Sequence, residues 1–273
     1  MTKQIKKIPQ KEYSRDYFLN STSGAGEFKK SWGRILSSKH AFALQQVEIE
    51  PKMRVLDVGC GRGEIMIHSA QQGAEATGID YAEAAVKLAK QAIAKQPQKI
   101  QKKIKLIRGN ICRLPFNNET FDRIFFLDVI EHLTPEQGEK ALAEIKRVLK
   151  IDGLLVLHTW PNDLFTRIGF PYWSWPLTTI LILIKGGDMP SRRLEPNLYD
   201  RVLHVNVQNY FTLRQILKEV GFKTKFILKI DSFPKMNFKD QLLFALYKAM
   251  PFSLTWPLNI LFCDNLWVVA KRR

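Results

Sequence analysis

The stretch Val55–Ile65 reads VLDVGCGRGEI and decides the fold. It opens with a short apolar run that ends at Asp57, which is typical of a buried strand. Gly59, Gly61 and Gly63 follow, and glycine lets a backbone turn tightly and approach a ligand closely. Helix-forming residues come next, so the stretch predicts a strand, a glycine turn and the start of a helix.

Strand and helix patterns alternate on the carboxyl side of this stretch. Apolar runs bounded by turn residues predict strands, and longer segments with helical periodicity predict helices between them. Such alternation implies a parallel sheet with right-handed crossovers. The predicted strands are 53–59, 76–80, 104–110, 121–129, 154–160, 223–230 and 265–272, and the predicted helices are 64–72, 82–95, 135–150 and 210–222.

The remaining segments do not continue the alternation. Residues 1–49 predict a basic N-terminal arm, with a polar and glycine-rich stretch, followed by a helix at 32–47. Residues 50–273 predict one domain with two apolar insertions, at 161–203 and 231–264.

Composition narrows the class of protein. The chain has 273 residues, 45% of them hydrophobic, which is enough to bury a large core. Its net charge is +16, most of it outside residues 50–158, and a basic surface favours anionic partners. The three cysteines are far apart, and the basic N-terminus lacks an apolar segment behind it. We therefore expect a cytoplasmic protein without a disulfide framework or a secretory signal.

An acidic residue ends the second predicted strand. Asp80 stands where a carboxylate can accept hydrogen bonds from both ribose hydroxyls of an adenosine. A dinucleotide is disfavoured because its fingerprint places two residues before the third glycine, whereas this chain places one. The pattern therefore indicates an adenosine ligand other than NAD.

Together, VLDVGCGRGE and Asp80 resemble the cofactor motif of the class I S-adenosylmethionine-dependent methyltransferases. The resemblance covers about residues 50–160 and resumes at 204–229 and in the last strand. It implies an α/β fold with a doubly wound, Rossmann-like seven-stranded sheet whose last strand is antiparallel. It also implies S-adenosylmethionine as cofactor, S-adenosylhomocysteine as product, and apolar insertions on the substrate side.

The resemblance also implies which residues hold the methionine end of the cofactor. Asp57, Gly59, Gly61 and Gly63 would line the methionine part, and Asp128 would lie near its amino group.

For the nucleoside end, the resemblance implies four residues. Asp80 would hold the ribose, with Tyr81 beside the adenine. Asn110 and Ile111 follow the third strand, where the family often has an acidic residue that contacts the adenine amino group. An asparagine can still accept that bond through its side-chain carbonyl.

Three histidines follow strand ends and are expected to face the same edge of the sheet: His132, His158 and His204. We predict catalytic roles for His132, His204 and Glu131, with one of the two histidines as a general base. The alternative is that they only hold loops in place. A divalent metal on Glu131, His132 and His204 is a further alternative, because IEHL followed by TWPN resembles small-RNA methyltransferases with Glu/His ligands. Asp128 replaces their first Glu, so we predict no metal.

The prediction of the methyl acceptor rests on the composition of the two insertions. The charge-free run 168–184 is short for a membrane span and contains two prolines. Aromatic residues with an apolar face and a basic border suit a membrane interface, although a lid over the active site is an equal alternative. The aromatic residues are Tyr172, Trp173, Trp175 and Trp256, and the border is Arg167, Lys185, Arg192, Arg193, Lys235, Lys239 and Lys248.

We therefore predict a small hydrophobic or lipid-linked acceptor, met at an anionic membrane surface on the cytoplasmic side. RNA is a weaker alternative that rests on the net charge and the basic run Lys95–Lys105, because the sequence carries no RNA-binding signature. A soluble metabolite is the other alternative.

Overall fold

The computed structural model describes residues 8–9, 12–176, 179, 203–229 and 257–273. Its centre is a seven-stranded sheet in the order β3-β2-β1-β4-β5-β7-β6. Five neighbouring strands are parallel, and β7 runs antiparallel to both β5 and β6. The strands are β1 (Arg54–Val58), β2 (Glu75–Asp80), β3 (Ile104–Arg108), β4 (Phe121–Leu127), β5 (Leu149–Thr159), β6 (Phe222–Lys229) and β7 (Asn265–Arg272). The predicted doubly wound sheet with an antiparallel last strand is confirmed.

Helices connect these strands and cover both faces of the sheet. Among the described residues they are α1 (Ala25–Ser31), α2 (Ser38–Gln45), α3 (Glu64–Gln71), α4 (Glu83–Ala94), α5 (Gln98–Gln101), α6 (Pro135–Val148), α7 (Tyr210–Val220) and α8 (Asn259–Phe262).

The sequence explains where the longer helices begin and end. Thr134 caps α6 by accepting from the Gln137 N–H, and Gln137 Oε1 accepts in return from the Thr134 N–H at 3.1 Å. Asn209 caps α7 in the same way, and Gly221 ends it at a φ of 94°. Both helices bury one apolar stripe against the sheet, so their packing stabilises them.

The strand order reverses between β1 and β4, since β2 and β3 lie on one side of β1 and the later strands on the other. In open α/β sheets a ligand binds at this point, beyond the carboxyl ends of the strands. The core beneath it is fully buried, with Leu56, Phe126 and Leu157 at 0% exposure.

Two predicted boundaries are wrong. The helix predicted at 32–47 begins only at Ser38, because Trp32 and Gly33 have φ values of 53° and 82° and end α1 instead. The helix predicted to reach residue 150 stops at Val148, because β5 begins at Leu149 and pairs there with Phe121.

The described part of the N-terminal segment is packed against the domain. Residues 12–31 form a π-helical turn, Tyr17–Ser21, followed by α1. Tyr13, Tyr17 and Phe18 are all buried, because they pack into one apolar cluster with Ile67 and Leu88. Within it, the Tyr17 ring contacts the rings of Tyr13 and Phe18 edge to face. The division of the chain at residue 49 stays a prediction.

The first insertion is described only in part. Residues Phe165–Ser174 form π-helical turns, and Gly169 lies so close to Leu261 of α8 that a side chain there would overlap the Leu261 carbonyl. Within the described ranges, no helix combines the length and apolarity needed to cross a bilayer. The rest of both insertions, the side chain of Trp173, and Trp256 with all of the basic border except Arg167 lie outside the described residues.

Candidate active site

The glycine turn shapes one wall of a cavity at the carboxyl edge of the sheet. Gly59, Gly61 and Gly63 have φ values of 75°, 50° and 88°, a region that side chains other than glycine rarely adopt. A Cβ on Gly59 would overlap the side chain of Val129. The backbone therefore passes close to the residues that follow β4, at a position where only glycine fits.

Asp80 fixes this turn from the end of β2. Its Oδ2 accepts from the Gly61 N–H at 2.9 Å, and its Oδ1 accepts from the Ala82 N–H at 2.8 Å. Burial raises the pKa of Asp80 above its usual value. The carboxylate thus joins the two loops and still presents lone pairs to the cavity.

The cavity contains most of the predicted cofactor residues. Eight of the nine line it, and they are Asp57, Gly59, Gly61, Asp80, Tyr81, Asn110, Ile111 and Asp128. Gly63 does not line it; a Cβ there would press on Met66 and Ala89, so this glycine lets α3 pack against α4. Asn110 Oδ1 already accepts from the Cys112 N–H at 2.9 Å, which fixes the amide beside the cavity. We call residues 57–65 and 80–81 the floor.

Sequence reasoning missed the opposite wall. Ile8, Tyr13, Tyr17, Phe18, Thr22 and Ser23 cover the cavity, and we call these six residues the roof. The Tyr13 ring lies 5.4 Å from the Tyr81 ring and 5.9 Å from the His132 ring. The spacing of Tyr13, Tyr17 and Phe18 predicts one apolar face of a helix. The spacing does not predict which part of the protein packs against that face.

Arg62, in the middle of the glycine turn, ties the roof to the floor. Its guanidinium donates to the Phe18 carbonyl at 2.8 Å and to the Ser23 carbonyl at 2.6 Å. It also pairs with Glu64 at 2.8 Å and stacks over the Phe28 ring. Because Arg62 is only 4% exposed, these bonds form in a setting with little competing water.

Asp128 sits at the junction of β4 and the cavity in a strained conformation, with a φ of 54°. It pairs with Lys39 of α2, and its Oδ1 lies 2.5 Å from His158 Nδ1. Although burial opposes ionisation, these two neighbours hold the pKa of Asp128 well below its usual value. His158 Nε2 lies 2.8 Å from Asn265 Oδ1, so this histidine is enclosed behind Asp128 and does not line the cavity.

Glu131, His132 and His204 lie together at one end of the cavity, with their ligand atoms all within 4.8 Å of one another. His132 lines the cavity, whereas Glu131 and His204 stand behind it. Burial lowers the pKa of His132 to about 4, and burial with the nearby His132 lowers that of His204 to about 3. Burial and the Asp128 charge raise the pKa of Glu131 to about 8. Both imidazoles are therefore neutral at pH 7.

The floor, the switch point and the acidic strand end define a nucleotide-binding α/β domain. Residues 56–157 match a family model described as a methyltransferase domain. Residues 56–157 thus form an S-adenosylmethionine-dependent methyltransferase domain, and the cofactor of the enzyme is S-adenosylmethionine.

Two relatives and one solved structure illustrate the likeness. A demethylmenaquinone methyltransferase from Lactiplantibacillus plantarum is 29% identical over 66% of this chain and 74% of that protein. A sterol 24-C-methyltransferase from Gibberella zeae is 28% identical over 49% of this chain, but the match spans only 34% of that protein. A Haloferax volcanii protein solved with the Trm112 methyltransferase activator shares the fold, with a TM-score of 0.60 and 13% identity over 94% of this chain and 97% of that one.

Proposed function

We propose that this enzyme methylates a small hydrophobic or lipid-linked acceptor at an anionic membrane surface. The observation that carries the proposal is an exposed apolar edge on Phe165–Ser174, the segment that follows β5 at the carboxyl edge of the sheet. Ile168 is 43% exposed and Tyr172 is 68% exposed, and Leu258, next to α8, adds a third exposed apolar side chain.

The position of this edge supports access to the cavity. The segment begins a few residues after Trp160, whose ring packs 5.7 Å from His204. The His204 ring lies 5.0 Å from the His132 ring, and His132 lines the cavity. An apolar acceptor that leaves the bilayer at the exposed edge would thus pass the rings of Trp160, His204 and His132 on its way to the cavity.

The relatives add independent support for the class of acceptor. By their names, the relatives described above act on demethylmenaquinone and on a sterol, both of which are lipids. Arg167, beside the apolar edge, is 75% exposed and pairs with Asp163 at 2.7 Å, so the described part of this edge carries little net positive charge and the argument rests on its apolar side chains.

The cavity suits the charge of the cofactor. Asp57, Glu64 and Asp80 converge on it, and burial together with the two neighbouring carboxyl groups raises the pKa of Asp57 well above its usual value. A cationic ligand relieves that crowding, and S-adenosylmethionine carries both a sulfonium and an ammonium group. When bound, the cofactor supplies an electrophilic methyl carbon and ends as a neutral thioether.

We assign the cofactor residues by their places on the floor and beside it. Asp80 would accept from the ribose hydroxyls, and Tyr81, Asn110 and Ile111 would enclose the adenine. Asp57, with Gly59 and Gly61, would line the methionine part, and Asp128 would face its ammonium group. Gly63, which does not line the cavity, supports the turn by letting α3 pack against α4.

The residues on the acceptor side are His132, His204 and Glu131. His132 Nδ1 lies 3.1 Å from the Leu203 carbonyl, which only accepts, so Nδ1 carries the hydrogen and Nε2 keeps a lone pair. That lone pair is available to accept a proton from the acceptor or to bind a metal ion. Methyl transfer itself then depends mainly on in-line placement of the two reactants.

Vesicle binding tests the membrane part of the proposal. We expect the full chain to sediment with anionic vesicles at low salt and to be released as salt rises. The double variant Ile168→Asp/Tyr172→Ser should lose this binding, because it removes the exposed apolar contacts. Ile151→Asp is the matched control, since Ile151 is 64% exposed near the start of β5, towards the opposite edge of the sheet.

Absence of sedimentation at any salt concentration would contradict a membrane acceptor and leave the methyltransferase assignment intact. Equal loss in both variants would show that any added charge weakens binding, and would remove the argument from the apolar edge.

A further inference from the structure

We infer that His158 is a positioning residue, which acts through Asp128 on the methionine end of S-adenosylmethionine. The inference rests on the proposed assignment of Asp128 to the ammonium group of the cofactor, and it extends that assignment to a residue outside the cavity. His158 does not line the cavity, and it is only 1% exposed. Any effect of His158 on the ligand must therefore pass through a neighbouring residue.

Asp128 has a backbone conformation that needs support from its neighbours. It lines the cavity at a φ of 54°, a left-handed conformation that is unfavourable for a residue with a side chain. Its N–H donates to the His158 carbonyl at 3.0 Å, one residue beyond the end of β4. The pairing of β4 with β5 thus continues as far as Asp128, and His158 fixes the backbone there.

The imidazole of His158 also holds the Asp128 carboxylate. Its Nδ1 lies 2.5 Å from Asp128 Oδ1. Although burial opposes ionisation, Lys39 and His158 hold the pKa of Asp128 well below its usual value, so the carboxylate accepts and Nδ1 donates. The other ring nitrogen, Nε2, lies 2.8 Å from Oδ1 of Asn265 in β7. Because both nitrogens are bonded, the ring cannot turn without losing both bonds.

Aromatic packing encloses the same ring. Trp267 lies opposite His158 in the antiparallel register of β5 and β7, and their ring centroids are 4.1 Å apart. Phe42 of α2 packs edge to face against Trp267 at 4.9 Å. Lys39, on the same face of α2, pairs with Asp128. The helix therefore contacts both ends of this network, where little water competes for the hydrogen bonds.

The two partners of Asp128 differ in what they can fix. Lys39 places a point charge on a flexible stem, which can pair with a carboxylate from many directions. His158 is a planar ring held by two hydrogen bonds and a stacked indole, so it selects one position for the carboxylate. The Asp128 side chain remains 30% exposed. A carboxylate that is already oriented raises affinity for the ammonium group, because binding then requires no rearrangement.

Two ligands that differ in the amino-acid part separate this role from a general structural one. S-adenosylhomocysteine carries the ammonium group, whereas 5′-methylthioadenosine keeps the nucleoside and the sulfur without an amino-acid part. In calorimetric titration, His158→Leu should bind S-adenosylhomocysteine about 10–100-fold more weakly, the range for a hydrogen bond to a charged group. Its affinity for 5′-methylthioadenosine should stay unchanged, since the residues assigned to the nucleoside follow β2 and β3.

Two milder variants and a control refine the test. His158→Asn can place its amide nitrogen near the position of Nδ1 and donate to Asp128, so it should recover much of the affinity lost in His158→Leu. Asn265→Leu removes the partner of Nε2 and should weaken S-adenosylhomocysteine binding by about 2–10-fold, the range for a typical hydrogen bond. His68→Gln is the matched control, because His68 bonds the Gly33 carbonyl and does not line the cavity. It should leave both affinities unchanged.

A double-mutant cycle shows whether His158 acts through Asp128. Asp128→Asn alone should weaken S-adenosylhomocysteine binding by about 10–100-fold. Adding His158→Leu should weaken it little further, because the two changes remove the same contact. If His158→Leu does not fold, Asn265→Leu carries the same comparison of ligands and the same cycle.

Additive losses in the cycle would overturn the inference. Equal loss of affinity for the two ligands would do the same, since it would show a site loosened as a whole, and so would unchanged binding in both His158→Leu and Asn265→Leu. An unmodified chain that binds neither ligand would count against the proposed function itself, whatever the variants show.

Discussion

The floor and the roof of the cavity are built by different means. The floor is backbone from the ends of β1 and β2, fixed by strand pairing and by the two hydrogen bonds to Asp80. The roof consists mainly of side chains from a segment outside the sheet, held by stacked rings and by Arg62. We therefore expect the floor to tolerate no added volume and the roof to open for ligand exchange.

The largest effect should come from the floor. Gly59→Ala places a Cβ against Val129 at a φ of 75°. Backbone strain and overpacking should together lower the free energy of unfolding by about 2–5 kcal/mol. Because the strained turn lines the cofactor cavity, affinity for S-adenosylhomocysteine should fall by at least about tenfold. Chemical denaturation and calorimetric titration measure the two quantities on the same protein.

Gly26→Ala is the matched control for that variant. Gly26 lies in α1 with no atom near its added Cβ, so alanine there should stabilise the chain by about 0.5–1 kcal/mol. If Gly59→Ala behaved like Gly26→Ala, the floor would not be specified by backbone geometry.

A smaller effect is expected from the link between roof and floor. Arg62→Lys keeps the positive charge beside Glu64 but removes the guanidinium group that donates to two backbone carbonyls. We expect the free energy of unfolding to fall by about 1–3 kcal/mol. The weakened roof should release S-adenosylhomocysteine faster and be cleaved more readily by protease in residues 12–23. Stopped-flow dissociation and limited proteolysis, each with and without the ligand, measure these changes.

Arg15→Lys tests whether the effect is specific to the link. Arg15 lies on the same segment and bonds Gln91 at the surface, so neither release nor cleavage should change. Equal behaviour of the Arg62 and Arg15 variants would contradict a roof held by Arg62.

The sequence predicted the floor well because its information is local. A strand, three glycines and an acidic strand end have one low-energy arrangement in an α/β sheet, and five of the six predicted positions on the floor line the cavity. Gly63 also packs against Ala89 of α4, a contact between residues distant in sequence that the local pattern does not show, and its predicted contact with the cofactor stays a prediction.

The roof and the acceptor side could not be predicted in the same way. Tyr13 meets Tyr81 and His132 only after the sheet has formed, and its own neighbours in sequence do not specify those contacts. His204 approaches His132 because backbone bonds join residues 205 and 206 to Glu131. Such pairings depend on tertiary structure, for which local periodicity gives no signal.

The most direct test of the central claim is calorimetric titration of the full chain with S-adenosylhomocysteine, followed by the same titration with NAD. The floor predicts one S-adenosylhomocysteine per chain, no measurable binding of NAD, and loss of affinity in Gly59→Ala. A chain that binds no S-adenosylhomocysteine, or binds NAD instead, would contradict the assignment of this cavity to S-adenosylmethionine.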